Sequence, residues 1–145
     1  MAKMIFVNLP VADVETSAAF YEALGFVRDM RFSQEGTAAS MQWSDTIVVM
    51  LLSHEHFGTF TPKRIIDARE EVGALLSLGL DSRAEVDAIT EAALDAGGRE
   101  LHDPEDLGFM YSRAFEDPDG HGWGPVHVDM AAYAQMTAAA SGVPA

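Results

Sequence analysis

The 145-residue sequence predicts an α+β fold built from two similar βαβββ units. Alternating apolar runs typical of strands precede two segments with helical periodicity. Each helical segment begins at a residue suited to capping and ends at glycine. The same order of elements recurs at an offset of about 70 residues, which indicates a duplicated unit rather than a solenoid. We expect one domain, 1–145, with units 4–53 and 74–130 joined by a connector, 54–73.

The first unit opens with the strand-like run "MIFVNLPV". A helix follows, with Asp13 as its N-cap and Gly25 as its stop signal. Its apolar side chains fall at helical spacing on one face: Val14, Ala18, Tyr21 and Leu24. Three short strands are then predicted: Phe26–Ser33, Thr37–Trp43 and Thr46–Ser53.

The second unit repeats this order from the run "GALLSLGLD". Its helix carries a capping box of Ser82 and Glu85, an apolar stripe, and a Gly-Gly stop. Three more strands are predicted: Arg99–His102, Phe109–Glu116 and His121–Met130. Gly124-Pro125 inside the last strand predicts a bend or a β-bulge. The alanine-rich tail after Met130 predicts a weak helix.

Composition excludes several classes of function. The formal net charge of -14 disfavours nucleic acid and anionic membranes as partners, although it could steer a cationic ligand. The absence of cysteine excludes disulfides, thiolate zinc sites and cysteine nucleophiles. The sequence has neither a signal-peptide pattern nor an apolar run long enough to span a membrane, so we expect a cytoplasmic protein.

Two motifs carry a resemblance to a known family. "AFYEALGF" at the end of the first helix and "DPDGHGW" near the last strand resemble the vicinal oxygen chelate superfamily. This superfamily contains glyoxalases, bleomycin-resistance proteins and extradiol dioxygenases, and the resemblance covers residues 4–130. The "TFTPK" segment resembles the connector of a glyoxalase-like bacterial subgroup. The resemblance implies a cup-shaped mixed sheet of the glyoxalase/bleomycin-resistance type, and a homodimer.

Catalytic members of that superfamily hold a divalent metal in the cup through four His, Glu or Gln ligands. The resemblance places these positions at Phe6, Met50, Leu75 and Gly124, none of which can ligate a hard cation through its side chain. A shift of one residue does not help, because it offers only Val7, Val49, Leu51, Ala74, Leu76, Trp123 and Pro125. We therefore expect no metal cofactor.

The histidines offer an alternative metal site. His54 and His56 would share a face if they lay on a strand, but no third ligand is in view, so an exposed polar loop is the competing interpretation. His121 and His127 are expected on the face opposite residue 124, and His102 in a polar loop, "LHDPED".

The same period-two rule predicts the lining of the cup. The candidate ligand-binding residues are Phe6, Asn8, Met50, Leu75, Ser77 and Gly124, with Val48, Leu52, Gly79 and Val126 on the same faces. This set is apolar, with Asn8 and Ser77 as isolated hydrogen-bonding groups. It suits a ligand site, and it equally suits a filled core in which Phe6 and Met50 occupy the vacated metal space.

Tyr111 and Arg113 are two further candidate ligand-binding residues, because they share one strand face with Phe109 and Phe115. If that face lines the cup, Arg113 could anchor a carboxylate or a phenolate; alternatively it pairs with a surface acid. The resemblance implies a structural role, with acids that solvate the turn, for three neighbouring carboxylates: Glu116, Asp117 and Asp119.

The sequence thus favours a protein that binds a small, largely apolar molecule in the cup without the metal site, and it assigns no catalytic residue. One alternative is sequestration of a cationic drug of the bleomycin type. Another is a metal-dependent lyase or dioxygenase with non-standard ligands such as His54 and His56. A third is a structural protein that has lost its pocket.

Overall fold

The computed structural model describes residues 2–141. Within these residues the chain forms eight strands and four α-helices, with a short 3-10 turn at Gly58–Phe60. The elements in chain order are β1 Ile5–Val11, α1 Val14–Ala23, β2 Val27–Gln34, β3 Ala38–Gln42, β4 Ile47–Ser53, α2 His54–Phe57, β5 Leu75–Gly79, α3 Arg83–Asp95, β6 Arg99–Asp106, β7 Met110–Glu116, β8 Gly122–Val128 and α4 Met130–Ser141. None of the helices in this described part has the length and apolar character needed to cross a membrane.

The strands form two four-stranded sheets of identical topology, β1-β4-β3-β2 and β5-β8-β7-β6. In each sheet the first strand pairs parallel with the last strand of its unit, and the remaining pairs are antiparallel. Asn8 lies opposite Met50 in the first sheet, and Ser77 lies opposite Gly124 in the second. The predicted α+β class and the two βαβββ units are confirmed.

The helices begin where their capping residues predict. The Asp13 carboxylate accepts a hydrogen bond from Thr16 N at 2.9 Å. Ser82 Oγ accepts one from Glu85 N at 3.1 Å, and Glu85 in turn accepts one from Asp81 N. Each interaction satisfies a backbone donor that the first turn of a helix leaves unpaired.

One core joins the two units. Tyr21 on α1 packs against Trp123 on β8 with ring centroids 5.7 Å apart, and Phe20 packs against Phe115 on β7. All four side chains are buried, and they belong to a single cluster that includes apolar residues from α1, α3 and both sheets. The helix-facing sides of the two sheets are therefore buried together, and the opposite faces are left available for a site.

One local prediction is wrong and a second is wrong in part. β6 runs through the polar segment "LHDPED" that the sequence predicted to be a loop, so His102 lies on a strand. β6 is an edge strand whose pairing with β7 shifts register, and an edge strand tolerates exposed acids and proline. The bulge, one of the two alternatives predicted at Gly124-Pro125, does not form, because β8 keeps one register with β7 on both sides of that dipeptide. The other alternative, a bend, stays a prediction.

The C-terminal tail is helical from Met130 to Ser141, as predicted. The last four residues of the predicted domain, 142–145, lie outside the described residues.

Candidate functional site

The faces of the two sheets that point away from α1 and α3 are called the cup faces here. Val7, Leu9 and Leu76 pack toward the core, so the residues that alternate with them point to the other side. Six of the predicted site residues lie on these cup faces: Phe6, Asn8 and Met50 on the first sheet, and Leu75, Ser77 and Gly124 on the second.

The cup faces are open within a single chain. Phe6 is 56% exposed and Leu75 is 70% exposed. A filled core would bury both side chains, so that interpretation does not describe one chain alone.

The cup faces also lack the donors for the metal that the fold family implies. Phe6, Met50, Leu75 and Gly124 present hydrocarbon, a thioether or no side chain, and hard divalent ions prefer oxygen and imidazole donors. Within residues 2–141 no group of three or more His, Cys, Asp or Glu side chains could hold a metal ion. The residues present do not fit a metal centre of the family's kind.

A concave region of about 450 Å³ lies on the cup face of the first sheet and is called the cup-face cavity here. Asn8 and Met50, both predicted site residues, line it together with Phe32, Gln34 and Phe60, which the sequence did not single out, and with His56, which the sequence offered only as a possible metal ligand. Phe32 and Phe60 are 64% and 70% exposed, and the His56 ring meets the Phe60 ring edge-on at 5.1 Å.

Register explains why Phe32 reaches this cavity. Gln34 pairs with Ala38, which in turn pairs with Leu52 on the cup face of β4, so Gln34 points to the cup face. Phe32 lies two residues before Gln34 on the same strand and therefore points the same way. The pairing of β2 and β3 is irregular between Asp29 and Gln34, and parity counted from the start of β2 is unreliable across such a break. The signal available in the sequence was the single aromatic residue of the edge strand β2.

The charge nearest the cup-face cavity is largely neutralised. Arg31, which lines it, donates two side-chain hydrogen bonds to the Asp29 carboxylate. This guanidinium holds the pKa of the Asp29 carboxyl below its usual range. The Arg31 guanidinium also lies 5.5 Å from the centre of the Phe32 ring. The site is therefore an aromatic surface with one compensated ion pair at its edge.

Tyr111 and Arg113 do share a strand face, but that face packs on α3 and not on the cup. Arg113 is buried and donates hydrogen bonds to three carboxylates: Asp87, Glu91 and Glu100. The Tyr111 hydroxyl donates to Asp87 at 2.6 Å. The condition under which Arg113 was expected to anchor a ligand is therefore not met, and Arg113 instead ties β7 to α3 and β6.

His54 and His56 lie on the short helix α2, and the strand on which they would share a face does not exist. Residues two apart on a helix point in directions about 200° apart. Accordingly, His54 borders a small cavity beside Asp119, whereas His56 borders the cup-face cavity. The two imidazoles do not converge on one ion.

The remaining histidines and the turn acids have structural partners. One ring nitrogen of His121 lies 2.7 Å from Pro10 O, and one of His127 lies 2.9 Å from Leu80 O. Asp119 accepts a hydrogen bond from Ala12 N. Asp117 has a structural role in the turn, although it is only 2% exposed. Its carboxylate accepts hydrogen bonds from the backbone N–H groups of Asp119 and His121 and a 2.6 Å hydrogen bond from the Tyr21 hydroxyl.

Comparison with known proteins agrees with this architecture. The sequence model of the Glyoxalase/Bleomycin resistance protein/Dioxygenase superfamily matches residues 3–124. A hypothetical protein from S. aureus is 28% identical with a TM-score of 0.73, and the match covers 88% of this chain and 94% of that chain. No curated protein matches the chain significantly.

Two further solved structures show the same fold. A glyoxalase/bleomycin resistance protein/dioxygenase family enzyme from Burkholderia phytofirmans PsJN is 19% identical with a TM-score of 0.72, covering 88% of this chain and 99% of its own. A bleomycin resistance determinant encoded on the transposon Tn5 is 24% identical with a TM-score of 0.61, with the same two coverages.

Proposed function

Since the chain belongs to the Glyoxalase/Bleomycin resistance protein/Dioxygenase superfamily, we propose that it binds a small, largely apolar molecule in the cup-face cavity, without the metal site of catalytic members. The family resemblance indicated by "AFYEALGF" and "DPDGHGW" is thereby confirmed. Membership alone does not identify a ligand, because one fold supports several activities. The ligand class is inferred from the chemistry of the cavity.

The exposed rings of Phe32 and Phe60 beside Met50 are the observation that carries this proposal. Exposed aromatic rings around a concave site offer large apolar contact area with a preference for stacked or edge-on rings. Asn8, Gln34 and His56 supply a few hydrogen-bonding groups that can orient a ligand. This combination favours a planar, uncharged molecule with one or two polar substituents.

The two alternative functions receive less support from the same residues. None of the described residues that line the cup-face cavity is Asp or Glu, so a cationic drug of the bleomycin type would meet no carboxylate there. A lyase or dioxygenase would need metal donors that Phe6, Met50, Leu75 and Gly124 do not supply.

A homodimer is part of the proposal. Large apolar side chains remain exposed on both cup faces, including Phe6, Phe32, Leu75 and Leu101. Several large exposed apolar side chains on such faces are a feature that interaction sites share. A second copy that covers part of the two cup faces would also shield the cup-face cavity from water.

Binding can be tested with 2-naphthol, a planar and neutral probe, followed by ¹H–¹⁵N correlation NMR. We expect shifts in the resonances of Asn8, Gln34 and His56, and a dissociation constant at least about threefold larger in Phe32→Ala. Met30→Ala is the matched control, because Met30 is 68% exposed on the same strand and does not line the cavity. No shifts, or shifts confined to other residues, would contradict the proposal.

Metal content and association state are measured separately. Protein purified without chelator or affinity-column nickel should carry far less than one metal ion per chain, and a near-stoichiometric content would overturn the metal-free assignment. In sedimentation velocity the protein should be a dimer that Phe6→Glu weakens. Leu107→Glu, which alters an equally exposed residue in the β6–β7 turn, should have no effect. A monomeric wild-type protein would refute the dimer.

A further inference from the structure

The connector borders a second cavity, distinct from the cup-face cavity. It has a volume of about 430 Å³ and lies between residues 57–74 and the first strand of each unit. Its walls are mainly apolar and include Val7, Leu9, Phe57, Ile65, Val72 and Leu76. Asn8 alone also lines the cup-face cavity, so occupancy of the two can be distinguished.

Two cations at this connector cavity have no acidic partner among the residues that the structure describes. In a chain of net charge -14, five arginines are engaged in ion pairs: Arg28, Arg31, Arg83, Arg99 and Arg113. By contrast, the side chains of Lys63 and Arg64, which line the cavity, make no ion pair or hydrogen bond with any described residue. With carboxylates in large excess, two adjacent unpaired cations beside apolar walls form an unusual surface.

We propose that the connector cavity binds an amphiphilic monoanion, such as an alkyl or arylalkyl carboxylate. The apolar body lies against the side chains of Val7, Leu9 and Leu76, and the anionic head is held by Lys63 and Arg64. The volume is within the range of roughly 300–1,000 Å³ that small-molecule sites occupy. A carboxylate head can accept two parallel hydrogen bonds from a guanidinium, which would make Arg64 the stronger of the two anchors.

Glu71, the third charged residue that lines the connector cavity, determines which ligand charge the cavity favours. Glu71 carries one negative charge, so Lys63, Arg64 and Glu71 together leave a single positive charge. A dianion would be under-compensated there, and a cation would face two like charges. His121 also lines the cavity, and one of its ring nitrogens contacts Pro10 O at 2.7 Å.

The test compares octanoate with 1-octanol, which share an alkyl chain and differ in the head group. Isothermal titration calorimetry on the full chain should show octanoate binding about tenfold more tightly than 1-octanol. The double variant Lys63→Gln/Arg64→Gln should lose about tenfold in octanoate affinity and change 1-octanol affinity less than twofold. Both residues are exposed on the connector, so the variant should fold, which its circular dichroism melting curve verifies.

Three further variants locate the bound octanoate. Lys3→Gln removes an unpaired surface cation outside the cavity and should leave both affinities unchanged. Ile66→Trp narrows the cavity and should weaken both probes. Phe32→Ala alters the cup-face cavity and should affect neither. Failure of octanoate to bind more tightly than 1-octanol would overturn the proposal. A loss of octanoate affinity in Phe32→Ala with no loss in the double variant would also overturn it. The 2-naphthol experiment tests the cup-face cavity independently of either result.

Discussion

Tyr21→Phe is the most informative single change, because it deletes one oxygen from a buried network that joins the two units. The Tyr21 hydroxyl donates to Asp117 Oδ2 at 2.6 Å and accepts from Trp123 Nε1 at 2.9 Å. Tyr21, Asp117 and Trp123 are at most 4% exposed. Without the hydroxyl, a buried carboxylate oxygen and an indole N–H both lose their partner.

The expected loss follows from these two orphaned groups. A hydrogen bond to a charged group contributes about 1.5–3 kcal/mol, and an unsatisfied buried donor costs about 1–3 kcal/mol. Because Asp117 keeps its bonds from the backbone N–H groups of Asp119 and His121, we expect a total near 3 kcal/mol. At about 3 °C per kcal/mol for a chain of this size, the melting temperature should fall by about 10 °C.

The effect should depend on pH. Burial raises the pKa of the Asp117 carboxyl above its ordinary value of 3.8. Below pH 3.8 the Asp117 carboxyl is protonated in both the folded and the unfolded protein. As pH rises through the higher pKa of the folded state, the buried carboxyl must ionise, which costs stability, and the Tyr21 hydroxyl offsets part of that cost by donating to the carboxylate. The difference between the wild type and Tyr21→Phe should therefore be larger at pH 7 than near pH 4.

Urea denaturation at the two pH values measures both quantities. Tyr133→Phe is the matched control, since the Tyr133 side chain is exposed and its hydroxyl makes no hydrogen bond within the described residues; it should change stability by less than about 0.5 kcal/mol. A Tyr21→Phe loss no larger than that of the control would refute the network's contribution. An equal loss at both pH values would refute the role assigned to Asp117 ionisation.

Three further predictions test other parts of the fold. Gly120→Ala should lose about 2 kcal/mol or more in thermal denaturation, because φ is +99° and a Cβ would lie 2.6 Å from Ala68 O; a loss below 0.5 kcal/mol would contradict this. Arg113→Met should lose about 2 kcal/mol in urea, since it leaves three carboxylates without their shared cation, and unchanged stability would show that the pairs are screened. In carboxyl NMR titration Asp106 should have a pKa of about 2, depressed mainly by its hydrogen bonds from Arg83, so the contribution of Asp106 to stability is present above pH 4 and lost as pH falls through 2. Arg83→Gln should return the pKa of Asp106 toward 3.8, and an unchanged pKa would contradict the assignment.

Much of the fold could be predicted from local sequence because the signals were redundant. Asp13 and Ser82 are capping residues placed directly before apolar stripes, and the stripes themselves are buried as the helical period requires. The cup faces could be predicted from parity, because β1 and β5 each pair in one unbroken register with their neighbour. Position along these strands alone therefore determined which face a residue occupies.

The sequence was least informative where face or element type depended on a partner distant in sequence. Parity grouped Tyr111 and Arg113 with Phe115, and the burial of Phe115 in the common core then places all three against α3. Phe32 was missed because the β2–β3 pairing is irregular. His54 and His56 lie beyond β4, which ends at Ser53 as predicted, so the condition for a shared strand face is not met. Each decision required knowledge of which sheet edge or helix lay alongside, and a local pattern does not contain that information.

The state of the β8 cup face bears on whether this chain has simply lost its pocket. A Cβ at Gly122 would lie 2.8 Å from Leu75 Cδ2, so that space is already filled by a neighbour. At Gly124, the position aligned with a metal carboxylate, the nearest atom would be Ser77 Oγ at 3.4 Å, so no bulky side chain has replaced the missing ligand. Phe6 and Leu75 also remain exposed instead of closing over the gap. The exposed apolar side chains around the empty space at Gly124 are unfavourable in water. A ligand or a second copy of the chain that covered these side chains would remove the free-energy cost of their exposure.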